Sequence, residues 1–285
     1  MEVRIITDSA SDITQEQAAK WNICVLPLTI RFGDEEFSDG VTIDNDMFYN
    51  RLIETDIIPK TSQVTPFAYE QAFREAIDTG DEVVCITISS KLSGCWQSAC
   101  IAADEIKSSR IHIIDTMTVC VAEMILVERA VQLRNKCFDA GKIASELEKL
   151  KNKVQVIALF DTLEYLKLGG RINAATAIAG NILSIKPVLS VRDGEVTVIG
   201  KARGSKNGNN MLMQFVGAHG GIDFTMPYCI SWTGLSDVMV RKYIADSRAL
   251  YEVDPEDLPV RRVGPTIGVY AGPGAFALAF FPIEN

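Results

Sequence analysis

Apolar and polar positions along this chain switch between the two-residue period of a strand and the longer period of a helix. The switches divide it into alternating elements. Val3 to Ile6 reads as a buried strand that ends in the polar triplet Thr7-Asp8-Ser9. Thr14 then offers a side-chain cap and Gln17, three residues on, completes a capping box, so a helix starts there. Cys24 to Ile30 is a second apolar run and predicts a strand. From Gly33 to Lys60 the chain turns polar, with Asp44, Asp46, Glu54 and Asp56 among scattered aromatics, and predicts a surface excursion holding one short helix. Thr65-Pro66 sets a cap directly before a proline, an arrangement favoured at helix starts. Tyr69, Ala72, Phe73, Ala76 and Ile77 then share one helical face as far as Gly80.

The alternation continues with strand Val83 to Ile88, a serine-rich loop, a helix from near Trp96 to about Ser108 and strand Arg110 to Ile114. A long helix near Val121 to Phe138 and another from about Lys142, joining Ile143, Leu147 and Leu150 on one face, follow. Strands alternating with helices predict a mostly parallel sheet with helices on both faces. The charged run Lys149 to Lys153 marks a boundary, giving an N-terminal α/β domain over 1–152 and a C-terminal α/β domain over 153–285. In the second domain a strand spans Val154 to Phe160 and a short helix Leu163 to Lys167. Asp193-Gly194 between Lys186 to Val191 and Glu195 to Gly200 is a hairpin signal, so this sheet is mixed. A helix from about Ser205, strand Tyr228 to Trp232, helix Leu235 to Tyr251 and closing strands Gly264 to Tyr270 and Ala275 to Phe281 complete the expected two-domain α/β fold.

Composition narrows the function. The formal net charge of −9 opposes a nucleic-acid or anionic-membrane surface, and no basic block offsets it. Seven cysteines form no Cys-x-x-Cys pair and read as reduced structural thiols, while two histidines supply a metal centre poorly, so neither metal nor cofactor is expected. Strand-like Ile5-Ile6 leaves no room for a signal peptide, and no apolar run reaches the roughly 20 residues of a membrane span. A cytoplasmic protein without membrane insertion is the expectation.

Candidate chemistry collects in loops. Ser89-Ser90-Lys91-Leu92-Ser93-Gly94 lies where a strand ends and a helix begins, the sheet edge at which backbone N–H groups and the helix dipole favour an anion. A ligand with a carboxylate or phosphate fits there. Thr61-Ser62-Gln63, ahead of the helix capped by Thr65, can reach similar space, although turn and capping chemistry would use the same residues. Gly169-Gly170 project Arg171 from a turn, and Arg203 ends the hairpin; arginine suits bidentate contact with such anions. Ala271-Gly272-Pro273-Gly274 permits close backbone approach to a ligand. Ser93 as a nucleophile would make the protein an acyl-ester or acyl-phosphate hydrolase, but needs a base, and the chain has no Gly-x-Ser-x-Gly elbow.

Taken in order, Thr7-Asp8-Ser9, Thr61-Ser62-Gln63, Ser89-Ser90-x-Leu92-Ser93-Gly94, Leu163-Glu164-Tyr165-Leu166-Lys167-x-Gly169-Gly170-Arg171-Ile172, Ile185-Lys186-Pro187 and Gly272-Pro273-Gly274 resemble the DegV family across nearly the whole chain. The resemblance implies a carrier without independent turnover that buries a long-chain fatty acid in a tunnel between two domains. It implies too that the carrier presents the carboxylate to a separate fatty acid kinase subunit for acyl-phosphate formation. By that likeness Thr61, Ser62 and Ser93 bind the carboxylate, Gly94 gives backbone access, and Arg171 and Arg203 form the rim for phosphotransfer or docking. The chain departs from the family pattern at Tyr270, where a histidine is usual, at Cys95-Trp96 in place of Thr-Tyr, and at Val64 in place of proline. Tyr270 can still donate to a carboxylate, and it also fits a member binding another anionic lipid. Trp96, Phe276 and the final strand are the expected wall of the tunnel.

Overall fold

The computed structural model describes residues 2–172 and 185–284. In chain order the first half forms β1 (Val3–Asp8), α1 (Gln15–Trp21), β2 (Cys24–Leu26), β3 (Thr29–Phe32), β4 (Glu35–Ser38), α2 (Asn45–Glu54), β5 (Lys60–Ser62), α3 (Pro66–Asp78), β6 (Glu82–Thr87), α4 (Cys95–Ile106), β7 (Ile111–Asp115), α5 (Val121–Asn135) and α6 (Ala140–Leu150). The second half forms β8 (Gln155–Leu159), α7 (Glu164–Leu168), β9 (Ile185–Arg192), β10 (Glu195–Arg203), α8 (Gly204–Ala218), β11 (Cys229–Trp232), α9 (Val238–Asp246), β12 (Val260–Arg262), α10 (Pro265–Ala271) and β13 (Phe276–Phe280). Thr14 and Thr65 cap α1 and α3 as their sequence contexts predict, accepting the N–H groups of Gln17 and Ala68 at 3.2 Å each.

Strands β2-β1-β6-β7 make a wholly parallel sheet, and β10-β9-β8-β13-β11-β12 a mixed one in which only β11 and β12 run parallel. The fold is therefore two-domain α/β. From β1 the chain crosses to β2 on one side, while β6 pairs on the other, so the loops leaving β1 and β6 diverge and open a crevice at the carboxyl edge. Asp8 ties that edge together: one carboxylate oxygen accepts the Ala10 N–H at 3.1 Å and the other the Ile88 N–H at 3.0 Å.

Four segments differ from the pattern reading. The strand expected over Cys24 to Ile30 is two strands in two sheets, because Pro27 has no N–H to continue a ladder and the chain leaves β2 there. The expected surface excursion supplies β4 and α2 and leads into β5, and with the preceding β3 these strands form an antiparallel sheet, β4-β3-β5, covered by α2. Its aromatics are core: Phe32, Phe48 and Tyr49 are buried with Ile30 and Ile43, and the rings of Phe48 and Tyr49 meet edge-on at 5.0 Å. The strand expected over Gly264 to Tyr270 is helix α10, started by Pro265; buried on nearly every side, its apolar run carries no period that separates strand from helix. The expected helix Leu235 to Tyr251 is trimmed to α9, followed by a 3-10 turn over Arg248–Leu250, where the Ser247 hydroxyl donates to the Tyr243 carbonyl at 2.6 Å. Among the described residues no helix is long and apolar enough to cross a membrane. All seven thiols are free, and no group of metal-binding side chains occurs among the described residues.

Carboxyl groups crowd beneath the carboxyl edge of β1. Asp8, Asp12, Asp39 and Glu123 are all buried, and each takes one or two donors: Thr7 to Glu123 at 3.2 Å, the Gly264 N–H to Asp12 at 2.8 Å, the Thr266 N–H to Asp39 at 3.2 Å. Desolvation outweighs those donors and pushes Asp8 up to about 7, Asp12 to about 8 and Asp39 to about 6, with Glu123 raised as well. Unfolded, these groups titrate near pH 4, so between about pH 4 and pH 8 the folded chain holds more protons than the unfolded one. Their stabilising contribution is thus whole below about pH 4 and is lost as pH rises through their folded values. Thermal unfolding is expected at a higher temperature at pH 5 than at pH 8, with Asp12→Asn flattening that slope; a wild-type midpoint that climbs across this window would contradict the assignment.

Candidate functional site

Between the two large sheets lies a cavity of about 370 Å³, within the range of small-molecule sites. Its floor and walls come from Val156 and Ala158 on β8, Leu189 on β9, Ala277 on β13 and Ile267 on α10, joined by Leu28, Ile88 and Val119 from the first half. Phe276 lines it as the sequence predicts; Trp96 does not. Among the described lining residues Arg171 is the sole charged side chain.

The serine loop reaches this cavity because it is wound tightly. The Ser89 N–H donates to the Thr118 carbonyl at 2.9 Å, and the Leu92 and Ser93 N–H groups both return to the Ser89 carbonyl, at 2.9 and 3.1 Å. Across the crevice the Ser89 hydroxyl donates to the Gly194 carbonyl at 2.8 Å, fastening the loop to the β9–β10 turn. Gly194 has φ +82°, and a side chain there would press on Ser89 Oγ at 2.6 Å. The coil turns Ser93 and Gly94 to the cavity at the start of α4. Ser93 Oγ accepts the Cys95 N–H at 3.3 Å and lies 3.2 Å from the Cys95 thiol. Neither histidine lines the cavity, and His219 Nδ1 lies 2.7 Å from the Phe215 carbonyl.

Opposite the serine loop, β5 presents Thr61, whose hydroxyl lies 2.6 Å from the Tyr270 hydroxyl of α10. Either can donate, so the pair retains a proton for a third oxygen. The Arg171 guanidinium stands 5.1 Å from the centre of the Tyr270 ring and is fixed by donating to the carbonyls of Gly169 at 2.7 Å and Leu92 at 3.3 Å. Gly169 is the seat of the tyrosine: a Cβ there would overlap the Tyr270 ring. Gln63 lies over Gly94, where a Cβ would likewise overlap it, and donates to the Ser98 hydroxyl at 2.8 Å.

Of the residues singled out in the sequence, Thr61, Ser62, Ser93, Gly94, Arg171 and Tyr270 all line this one cavity. Arg203 does not; its exposed side chain ends β10, with its carbonyl taken by Asn207 at 3.0 Å. Sequence reading missed Gly169 as the seat of Tyr270, and it missed Thr266, Ser231 and Thr233, which add hydroxyls to the wall. Thr266 lies four residues before Tyr270, a spacing that would have flagged it had the segment been read as helix. Chemically the arrangement is an apolar chamber with hydroxyl donors and one cation at one end.

Residues 2–283 match the family model described as "Uncharacterised protein, DegV family". The chain is 33% identical over 289 residues to a DegV domain-containing protein of Deinococcus radiodurans, covering 100% of both. To one of Caldanaerobacter subterraneus subsp. tengcongensis it is 32% identical over 280 residues, covering 98% of both. Among solved structures, a DegV family protein from Thermus thermophilus, described by its fatty acid binding, superposes with a TM-score of 0.87 at 29% identity, covering 99% of this chain and 100% of that one. A stearic acid-binding protein from Eubacterium ventriosum shares the fold at a TM-score of 0.85 and 24% identity, over 99% and 98% of the two chains. This chain belongs to the DegV family.

Proposed function

We propose that this protein binds one long-chain fatty acid, with the hydrocarbon in the cavity and the carboxylate at the end marked by Thr61, Ser62, Ser93, Gly94 and Tyr270. The observation that carries the reading is the polarity of the chamber: apolar walls with one cation, Arg171, beside the Thr61–Tyr270 hydroxyl pair. The fatty acid binding of the Thermus thermophilus relative supports it. Burying methylenes gains about 0.8 kcal/mol each, so an acyl chain supplies most of the affinity after its lost freedom is offset, and the head group supplies orientation.

On this reading the protein is a carrier. It divides functionally into 1–152 and 153–285 about the ligand, and it presents the carboxylate, in the cytoplasm, to a separate kinase subunit that docks near Arg171 and Arg203 and forms the acyl phosphate. The hydrolase alternative needs a base at Ser93, whose contacts are Cys95 and the turn of its own loop.

Denaturing mass spectrometry of the purified protein is expected to release about one long-chain fatty acid per chain; protein that is repeatedly empty, and stays empty after incubation with palmitate, would overturn the reading. A different anionic lipid in the extract would redirect it to that lipid. Tyr270→Phe removes one hydroxyl donor from a charged acceptor and is expected to weaken fatty acid binding by about tenfold. Gly169→Ala is expected to do the same indirectly, by displacing the ring, with the unfolding temperature nearly unchanged. Equal affinities for both variants and the wild type would remove Tyr270 from the head-group site.

A further inference from the structure

The apolar wall of the cavity is interrupted well inside the Thr61–Tyr270 end. Thr266 lines the cavity from α10, is 2% exposed, and its hydroxyl makes no hydrogen bond. Its N–H is already spent on Asp39 at 3.2 Å. The hydroxyl faces that same carboxylate, and donating to it uses the proton while leaving the hydroxyl's lone pairs unmatched. Ser231, on β11, also lines the cavity and has no exposed surface; its hydroxyl has one contact, the Cys120 thiol at 3.9 Å. Cys120 too belongs to the wall. The other interior hydroxyls are satisfied by backbone groups of neighbouring strands and loops: Ser190 donates to the Val156 carbonyl at 2.8 Å, and Thr233 accepts the Ala275 N–H at 2.8 Å. Among the described interior hydroxyls Thr266 is thus the one that closes no hydrogen bond, and Ser231 has only the long contact to the Cys120 thiol.

Buried polar groups are nearly always partnered, and one left against hydrocarbon loses its hydration without return. A plain saturated chain would impose that loss on Thr266 and Ser231. A ligand hydroxyl would not, since it both donates and accepts and so suits a threonine or serine whichever way their protons turn. Thr266 precedes Tyr270 by one helical turn on the same face, which sets it about 6 Å along the helix from the head-group tyrosine. The oxygen it could meet is therefore on an interior carbon of the chain and separate from the carboxylate.

We propose that the preferred ligand is a long-chain fatty acid carrying a hydroxyl on an interior carbon, received by Thr266 with Ser231 and Cys120 beside it. The inference rests on the fatty acid reading above and names the class of acid within it. Delipidated full-length protein titrated with stearate, 2-hydroxystearate and the 6-, 8-, 10- and 12-hydroxystearates separates the two. At least one interior isomer is expected to bind about tenfold more tightly than stearate, with 2-hydroxystearate showing no such gain. Thr266→Val, which keeps the shape and deletes the hydroxyl, is expected to reduce that preference about tenfold, and Ser231→Ala to reduce it by less. If stearate binds and no interior isomer exceeds it, or if Thr266→Val and Ser231→Ala both leave the preference intact, the hydroxyl assignment falls and the carrier reading stands. If none of the acids binds, the carrier reading falls and takes this inference with it.

Discussion

The cavity exists because helix α10 lies against α2 at a distance that only glycine allows. A Cβ on Gly268 would meet Phe48 Cε1 at 2.6 Å and the Tyr49 hydroxyl at 2.9 Å, both fixed in a core with Ile30 and Phe32. Val269 is part of that same core, and the Tyr49 hydroxyl donates to the Val263 carbonyl at 3.1 Å just ahead of the helix. A segment that leads into β13 of the mixed sheet is in this way docked on the small antiparallel sheet of the first half. Its far end is held by Gly272, at φ +64°, whose missing side chain makes room for the Tyr165 ring. Between those two glycines Tyr270 reaches Thr61, and the two halves of the protein enclose a shared chamber.

Closing the chamber with hydroxyls and one arginine makes its selectivity local. The chain as a whole is strongly acidic, so an anion approaching it meets an unfavourable field. Arg171 counters this at short range from the cavity rim, where it is exposed to solvent and its charge is correspondingly screened. It cannot swing away without giving up the carbonyls of Gly169 and Leu92, and it rests over the ring of Tyr270. For the proposed carboxylate, charge and orientation would thereby fall to different residues: the arginine would attract it, and the Thr61–Tyr270 pair would set where its oxygens lie. A tyrosine carries no positive charge in either protonation state, so at this position the attraction is left wholly to Arg171.

Much of this was legible in the sequence. The capped starts of α1 and α3, the parallel strands β1, β6 and β7, and the Asp193-Gly194 hairpin follow from side-chain caps, apolar runs and turn chemistry, which are local properties. Six of the seven candidate site residues line one cavity: Ser93 and Gly94 sit at the carboxyl edge of the parallel sheet after β6, while Thr61 and Ser62 on β5, Arg171 after α7 and Tyr270 on α10 reach it from other elements. What was illegible depends on packing between distant segments. The polar stretch after Gly33 conceals Phe48 and Tyr49, which pack with Ile30 and Phe32 in a core that Val269, more than two hundred residues later, joins. Helix α10 was hidden for a related reason: enclosed on all sides, it needs no polar face, and without one its sequence shows no helical period. Arg203, expected at the rim from its place at the end of the hairpin and from the family resemblance, lies outside the cavity lining.

The same misreading concealed the deeper polar patch. Read as strand, Gly264 to Tyr270 points Thr266 and Tyr270 to one face at a spacing of about 13 Å, too far apart to belong to one end of a ligand. Read as helix, the spacing halves and the two become successive contacts along one chain. That change converts an isolated buried threonine, which packing alone would explain, into a group one helical turn from Tyr270 on the same cavity wall, along the path of the proposed ligand. A wall meant only for hydrocarbon would gain from valine at this position, since valine has the same shape and no hydroxyl to desolvate. On the proposed fatty acid reading, the presence of threonine, with Ser231 in the same wall held only by the Cys120 thiol at 3.9 Å, bears on what the chamber would hold as well as on how it is built.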